Sequence, residues 1–170
     1  MIWLIYLIEI LFGLGLLFFS GILLYSMLLG APYAPLGRKK TINLVKLLGI
    51  KAGDKAVDIG SGDGRIVIEL AKAGAIAVGY EINPILVIIG NYRIKKAGIK
   101  NASIFWKDFW REDLSKFDTI TVYLSFNSMG RLEKKVQKEA KRGTRIGVNY
   151  FKFPNWKYTK KEGDLYIYHK

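Results

Sequence analysis

The chain has 170 residues, long enough for one ordinary domain and too short for two of typical size. It contains no cysteine, one histidine (His169) and a net charge of +13. These facts exclude a disulfide frame, a thiolate zinc site and a cysteine nucleophile, and no metal site is expected.

Residues 1–31, MIWLIYLIEILFGLGLLFFSGILLYSMLLGA, carry one charged side chain, Glu9, and no basic residue precedes Arg38. Residues 2–29 would form a helix about 42 Å long, against a hydrocarbon core of about 30 Å, so the segment can span with tilt. A signal peptide needs a basic start and an apolar core of only about 7–15 residues. Neither is present, so 1–31 read as a retained single-pass transmembrane anchor. Glu9 would snorkel, stay protonated or meet a partner helix, and Gly13, Gly15 and Gly21 do not make a GxxxG face. Arg38, Lys39 and Lys40 follow the span, and the positive-inside bias puts the rest, residues 32–170, in the cytoplasm. With Glu9 on the anchor side, that remainder carries one positive charge more than the whole, +14. Anionic lipid and nucleic acid are the two obvious attractors, and the anchor favours lipid.

After the linker APYAPLGRKK, apolar spacing predicts a helix over 41–48, broken by GIKAGDK. Strand AVDIG follows, then a helix over 64–73, strand AVGYEI, a helix over 85–97, strands ASIFW and TITVYLS, a helix over 129–141 and strand TRIGVNY. A terminal hairpin, 157–161 with 165–169, turns at EGD. The alternation predicts an α/β fold: a Rossmann-like, doubly wound, seven-stranded and mainly parallel sheet with a C-terminal antiparallel hairpin. Ligands are then expected at the carboxyl ends of the strands.

The stretch KAVDIGSGDGRIVIEL runs from a strand through glycines 60, 62 and 64 into a helix, the outline of a nucleotide site. A dinucleotide fingerprint would need a third glycine at position 65, which is Arg65, and no GxxxxGK[ST] loop occurs. Acids stand at Asp58 and Asp63 instead. Carboxylates are poor neighbours for phosphate and good ones for a cation, so the turn fits an amino-acid moiety and a sulfonium better than a diphosphate. Glu81, 23 positions after Asp58, ends the second strand, where an acid can accept both ribose hydroxyls. Asp108 ends the third, where an adenine amino group could be met and Phe109 could flank the ring. Taken singly, Asp58 could satisfy a helix end, Glu81 could be a surface acid and Asp108 a helix cap.

VDIGSGDGRI, GYEINP and KDFW resemble the first three motifs of class I, seven-strand S-adenosylmethionine-dependent methyltransferases. With PYAP, AVGYEINPILV, YLSFNSMGRLEKKVQKEAKRGTRIGVNYFKFPNW and the short hairpin, residues 32–170 resemble a family of small protein-lysine methyltransferases. That family includes an archaeal enzyme and the mitochondrial enzymes acting on the ATP synthase c-subunit and the adenine nucleotide translocase. Leu36 departs from its pattern, which has a small hydroxyl residue there. The resemblance implies S-adenosyl-L-methionine as cofactor. Asp58 and Gly60, with Gly62, would hold its methionine end, Glu81 the ribose, and Asp108 with Phe109 the adenine.

Methyl transfer to an amine is an in-line displacement in which positioning matters more than an acid–base engine. The acceptor should arrive beside the fourth strand, at Ser125, Phe126 and Asn127, with Tyr33 of PYAP as one wall. The bland readings are that Tyr33 braces the linker, Phe126 is core and Trp156 packs. LSFNSM lacks the Pro-Pro of glutamine and adenine-N6 enzymes, and cytosine-C5 chemistry lacks its thiol. The expected activity is methylation of a lysine on a membrane or membrane-adjacent protein. Nucleic-acid methylation, with RLEKKVQKEAKR as the phosphate-contacting helix, and a non-catalytic binding module are the alternatives.

Overall fold

The structure is a computed structural model that describes residues 2–29 and 35–170. The chain divides into two compact units, residues 1–32 and 33–170. In the first, α1 (Ile2–Leu29) is a continuous helix. Its stretch Ile2–Gly21 has a mean hydropathy of 2.4, which makes it long and apolar enough to cross a bilayer.

The second unit holds α2 (Arg38–Leu48), β1 (Lys55–Ile59), α3 (Arg65–Lys72), β2 (Ile76–Glu81), α4 (Pro84–Lys96) and β3 (Ala102–Trp106). It continues with a single 3₁₀ turn (Phe109–Arg111), β4 (Thr119–Val122), α5 (Phe126–Glu139), β5 (Arg145–Asn149), β6 (Lys160–Glu162) and β7 (Leu165–His169). The seven strands form one sheet in the order β3-β2-β1-β4-β5-β7-β6. The first five are parallel, while β7 runs antiparallel to β5 and to β6. The sequence order reverses between β1 and β4, so a crevice opens at their carboxyl ends.

Alternation along each strand sorts the core into two layers. Val57, Ile59, Ile120, Val122, Ile146 and Val148 pack toward Met129, Leu132 and Val136 of α5. On the opposite face, Ala56 and Ala77 meet Leu44 and Leu48 of α2 and Val67 and Leu70 of α3. Helix ends are set locally. Asn83 caps α4 by accepting from Ile85 N at 3.0 Å, with Pro84 at the first position, and Gly49 closes α2 in the left-handed region at φ 58°. At Gly147, a Cβ would stand 2.8 Å from Leu44 Cδ1, so a bare backbone lets α2 approach β5.

Several boundaries differ from the sequence expectation: α2 starts at Arg38 rather than 41, β4 ends at Val122 rather than 125, and the hairpin's first strand is 160–162 rather than 157–161. Helix α5 starts at Phe126 rather than 129; Asn127 and Ser128 read as turn residues, and Phe126 is exposed, so the first turn adds nothing to the buried stripe of Met129, Leu132 and Val136. The hairpin turns on Gly163 and Asp164 alone, and Glu162 belongs to β6. Gly90 of α4 packs against Ile104 Cδ1, with the Asp63 carbonyl carbon 3.3 Å from where its Cβ would stand. Gly90→Ala should therefore destabilise the fold by about 1–3 kcal/mol. Adding Ile104→Val, which removes the clashing methyl, should recover part of that loss in denaturant titrations.

Candidate functional site

The glycine turn follows β1 and folds back over β2. Gly60, Gly62 and Gly64 have φ values of 70°, 53° and 80°, left-handed conformations that side chains disfavour. Tyr80 O accepts from Gly60 N at 2.9 Å and from Ser61 N at 3.1 Å, which pins the turn to the end of β2. A Cβ at Gly60 would lie 3.1 Å from Leu124 Cδ2, so the turn also abuts the exit from β4.

Three carboxylates meet here, and each is used differently. Asp63 is buried and paired with Arg65 (Nε to Oδ1 2.9 Å, Nη2 to Oδ2 2.6 Å) and with Arg93 of α4. The sequence reading offered it to a cationic ligand, but its charge is met by guanidinium groups of the chain. Arg65 Nη1 also donates to Leu36 O at 2.6 Å, tying the turn to the residue that leads into α2. Leu36, the departure from the family pattern, is a buried core residue.

Glu81 is buried at the end of β2, not a surface acid. Its Oε2 accepts from Gly62 N at 2.8 Å and its Oε1 from Asn83 N at 2.8 Å, so both oxygens are fixed in orientation and each keeps acceptor capacity.

Asp58 is also buried, its Oδ1 accepting from Thr121 Oγ1 at 2.7 Å. Burial pushes its carboxyl up to about 7, against the pull of the Thr121 hydroxyl, and the negative charges of Glu81 and Asp63 add to the rise. Without a cation nearby, Asp58 is therefore close to half protonated at neutral pH.

Asp108 does cap a helical turn, accepting from Trp110 N at 3.0 Å through Oδ1, while Oδ2 lies 3.7 Å from Arg111 Nε. Phe109 packs on Trp110 with ring centroids 4.5 Å apart. Together these residues form an arc across the carboxyl ends of β1, β2 and β3. A cation can sit at Asp58, a diol at Glu81 and a planar ring beside Phe109.

On the other flank, Ser125 ends the segment leaving β4 and sits 3.2 Å from Ser128 (Oγ to Oγ). Phe126 and Asn127 open α5, and Phe126 is 70% exposed, so it is no core residue. Trp156 is a packing residue, stacked on Phe153 at 5.7 Å and 14°. Tyr33 lies outside the described residues.

Two residues missed by the sequence reading stand beside this flank. Tyr150 has φ 70° and Phe151 N donates to Asn149 O at 3.0 Å, a strained three-residue turn. Tyr150 is exposed, packs on Phe151 at 4.8 Å, and Phe151 in turn meets Phe126 at 5.8 Å. Asn149, at the end of β5, is 1% exposed, and neither its amide oxygen nor its amide nitrogen has a partner. Such an orphan costs about 1–3 kcal/mol. No sequence signal could reveal it, because it depends on what the fold leaves facing the amide.

The unliganded protein should lose stability as pH rises. Between pH 3.8, the ordinary value, and about 7, folded Asp58 holds a proton that the unfolded chain releases. Asp58→Asn, which keeps the shape without the titration, should flatten that part of the curve in thermal unfolding of the full-length protein in detergent.

Comparison with known proteins gives the family and the fold. Residues 58–160 match the ANTKMT methyltransferase domain family. The ATP synthase c-subunit lysine N-methyltransferase of Homo sapiens is 40% identical over 126 residues, covering 74% of this chain and 54% of that protein. The chain thus spans about half the length of that relative. A protein-lysine N-methyltransferase of Saccharolobus islandicus is 34% identical over 128 residues, covering 74% of this chain and 80% of its own. Among solved structures, an RNA methyltransferase from Salinibacter ruber in complex with S-adenosyl-L-homocysteine superimposes with a TM-score of 0.76 at 29% identity. It covers 80% of this chain and 93% of its own.

Proposed function

The chain belongs to the ANTKMT methyltransferase domain family, and from that premise we propose that it is an S-adenosylmethionine-dependent protein-lysine N-methyltransferase held at a membrane by α1. The observation that carries the reading is the buried, cation-seeking Asp58 beside a glycine turn whose amide is fixed by Glu81.

The residues present fit the cofactor. Asp58 and the backbone of Gly60 and Gly62 receive its cationic amino-acid end, Glu81 its ribose, and Asp108 with Phe109 its adenine. S-adenosylmethionine, when bound, supplies an electrophilic methyl on a sulfonium. The remaining work falls to the chain. A lysine amine must arrive in line and uncharged, and an apolar, aromatic-walled approach disfavours the ammonium form. Phe126, Tyr150 and Phe151 supply those walls, and Asn149 Oδ1 can accept a hydrogen bond from the amine and aim its lone pair. Ser125 and Asn127 border the same opening, and the sequence offers Tyr33 for one wall.

Residues 1–31 serve as the anchor and 32–170 as the catalytic domain, with Arg38, Lys39 and Lys40 favouring a cytoplasmic placement. Tethering raises the effective concentration near a membrane-bound acceptor. The named substrates of the relatives support a protein acceptor. The Salinibacter neighbour and the +14 charge keep nucleic acid as the second reading.

Methyl-labelled cofactor and full-length protein, offered to membrane, soluble and nucleic-acid fractions of the source cell, distinguish the two. Label recovered as methyl-lysine in a protease-sensitive membrane band is the expected result. Nuclease-sensitive label overturns the lysine reading. Asp58→Ala and Glu81→Ala should each abolish cofactor binding in calorimetry while the fold persists. Asn149→Leu should bind cofactor normally and unfold no earlier, since it removes an orphan amide. It should slow methyl transfer by about tenfold, the worth of one lost hydrogen bond.

A further inference from the structure

The outward face of α4 is unusual for a charged surface. Gly90, Asn91 and Ile94 turn toward the sheet: Asn91 exchanges hydrogen bonds with the backbone of Ile104, donating at 2.8 Å and accepting at 3.0 Å, and Ile94 is buried. The residues between them in the helical repeat point away. Ile88 is 69% exposed and Tyr92 65%, with Ile89 beside them also exposed. The neighbouring strand β3 is the unpaired edge of the sheet, and its last two residues, Phe105 and Trp106, are exposed as well. Trp106 is held by a hydrogen bond from Nε1 to Ile82 O at 2.9 Å, just ahead of α4.

Charge is patterned to match. From Ile82 to Lys107 there is no acidic residue, and Lys95, Lys96 and Lys100 are exposed cations, while Arg93 pairs with Asp63 and Lys107 with Glu112. An exposed aliphatic stripe with Tyr and Trp at its borders and Lys/Arg around it is the composition of an interfacial membrane surface. Nucleic acid would use the cations but has no use for Ile88 and Ile89. Large contiguous apolar patches are rare on the surfaces of soluble monomers and mark interaction sites.

We propose that the α4 face and the β3 edge dock on an anionic bilayer surface, Ile88, Ile89, Tyr92 and Trp106 lying at the headgroup boundary and Lys95, Lys96 and Lys100 meeting lipid phosphates. Eight residues, 30–37, join α1 to α2, about 28 Å at full extension, so a membrane-inserted α1 holds the domain within reach of the headgroups. This docking is independent of which acceptor is methylated.

The test is hydrogen exchange on the full-length protein in nanodiscs of phosphatidylcholine alone and of phosphatidylcholine with phosphatidylglycerol. Amides of 85–96 and 102–107 should exchange at least about fivefold more slowly in the anionic discs, with α5 unchanged. Ile88→Glu with Tyr92→Glu should erase that difference, and Lys95→Gln with Lys96→Gln, milder surface changes, should reduce it. Equal exchange in both disc types overturns the proposal. So does protection that appears only with added RNA, or that grows with protein concentration as pairing between copies would.

Discussion

The site is organised around a crowding of like charge. Asp58, Asp63 and Glu81 converge where β1 and β2 end: Asp58 and Glu81 stand on the paired strands, and the glycine turn brings Asp63 to them. The chain answers one of the three with its own cations. Asp63 takes Arg65 from the start of α3 and Arg93 from the last turn of α4, and Arg65 reaches on to the Leu36 carbonyl. One buried carboxylate therefore ties together two helices and the lead into a third, and the shape of the glycine turn follows from that clamp.

The other two acids are handled by different physics, and the division has functional meaning. Glu81 is fixed by two backbone N–H groups, which set the direction of its remaining lone pairs without neutralising it. Asp58 has a neutral hydroxyl from Thr121 and sits in the field of its neighbours, so its ionised form waits on an external positive charge. A ligand that brings a cation to Asp58 and a pair of hydroxyls to Glu81 relieves both conditions together. A diphosphate would aggravate them. This is the physical reason that the same strand–turn–helix outline can serve different nucleotides, with the choice written in the acids around it.

Much of the fold was legible, and the candidate cofactor residues could be named, because the signals for both are local. Strand periodicity, the glycines of the turn and acids at strand ends are read directly from spacing, and the seven strands with their antiparallel hairpin follow. What spacing could not give is the partner of each acid: nothing near Asp63 in sequence announces Arg93, thirty residues on, so a clamp looked like a ligand group. The acceptor side was less legible still. Ser125 was read as the end of a strand and Phe126 and Asn127 as the residues after it, whereas β4 ends at Val122 and the last two open α5, whose first turn carries no buried side chain. Tyr150 and Asn149 carry no motif at all, because strain and orphaned hydrogen-bonding groups exist only once the chain is folded.

Those two residues show how a local cost can be weighed as evidence. Orphaned polar atoms are not by themselves a site: Thr119 Oγ1 is buried without a partner at the amino end of β4, and nothing in the structure explains it. Asn149 differs in three ways. Both of its amide atoms are orphaned, the residue after it is held at positive φ by its own carbonyl, and the exposed rings of Tyr150 and Phe126 stand nearby on the carboxyl side of the sheet. Three departures coincide at the end of β5, and such a concentration points to selection for something other than stability. The end concerned adjoins β4, across which Thr121 holds Asp58. The carboxylate arc and the strained corner thus lie at the carboxyl ends of adjacent strands, β1, β4 and β5.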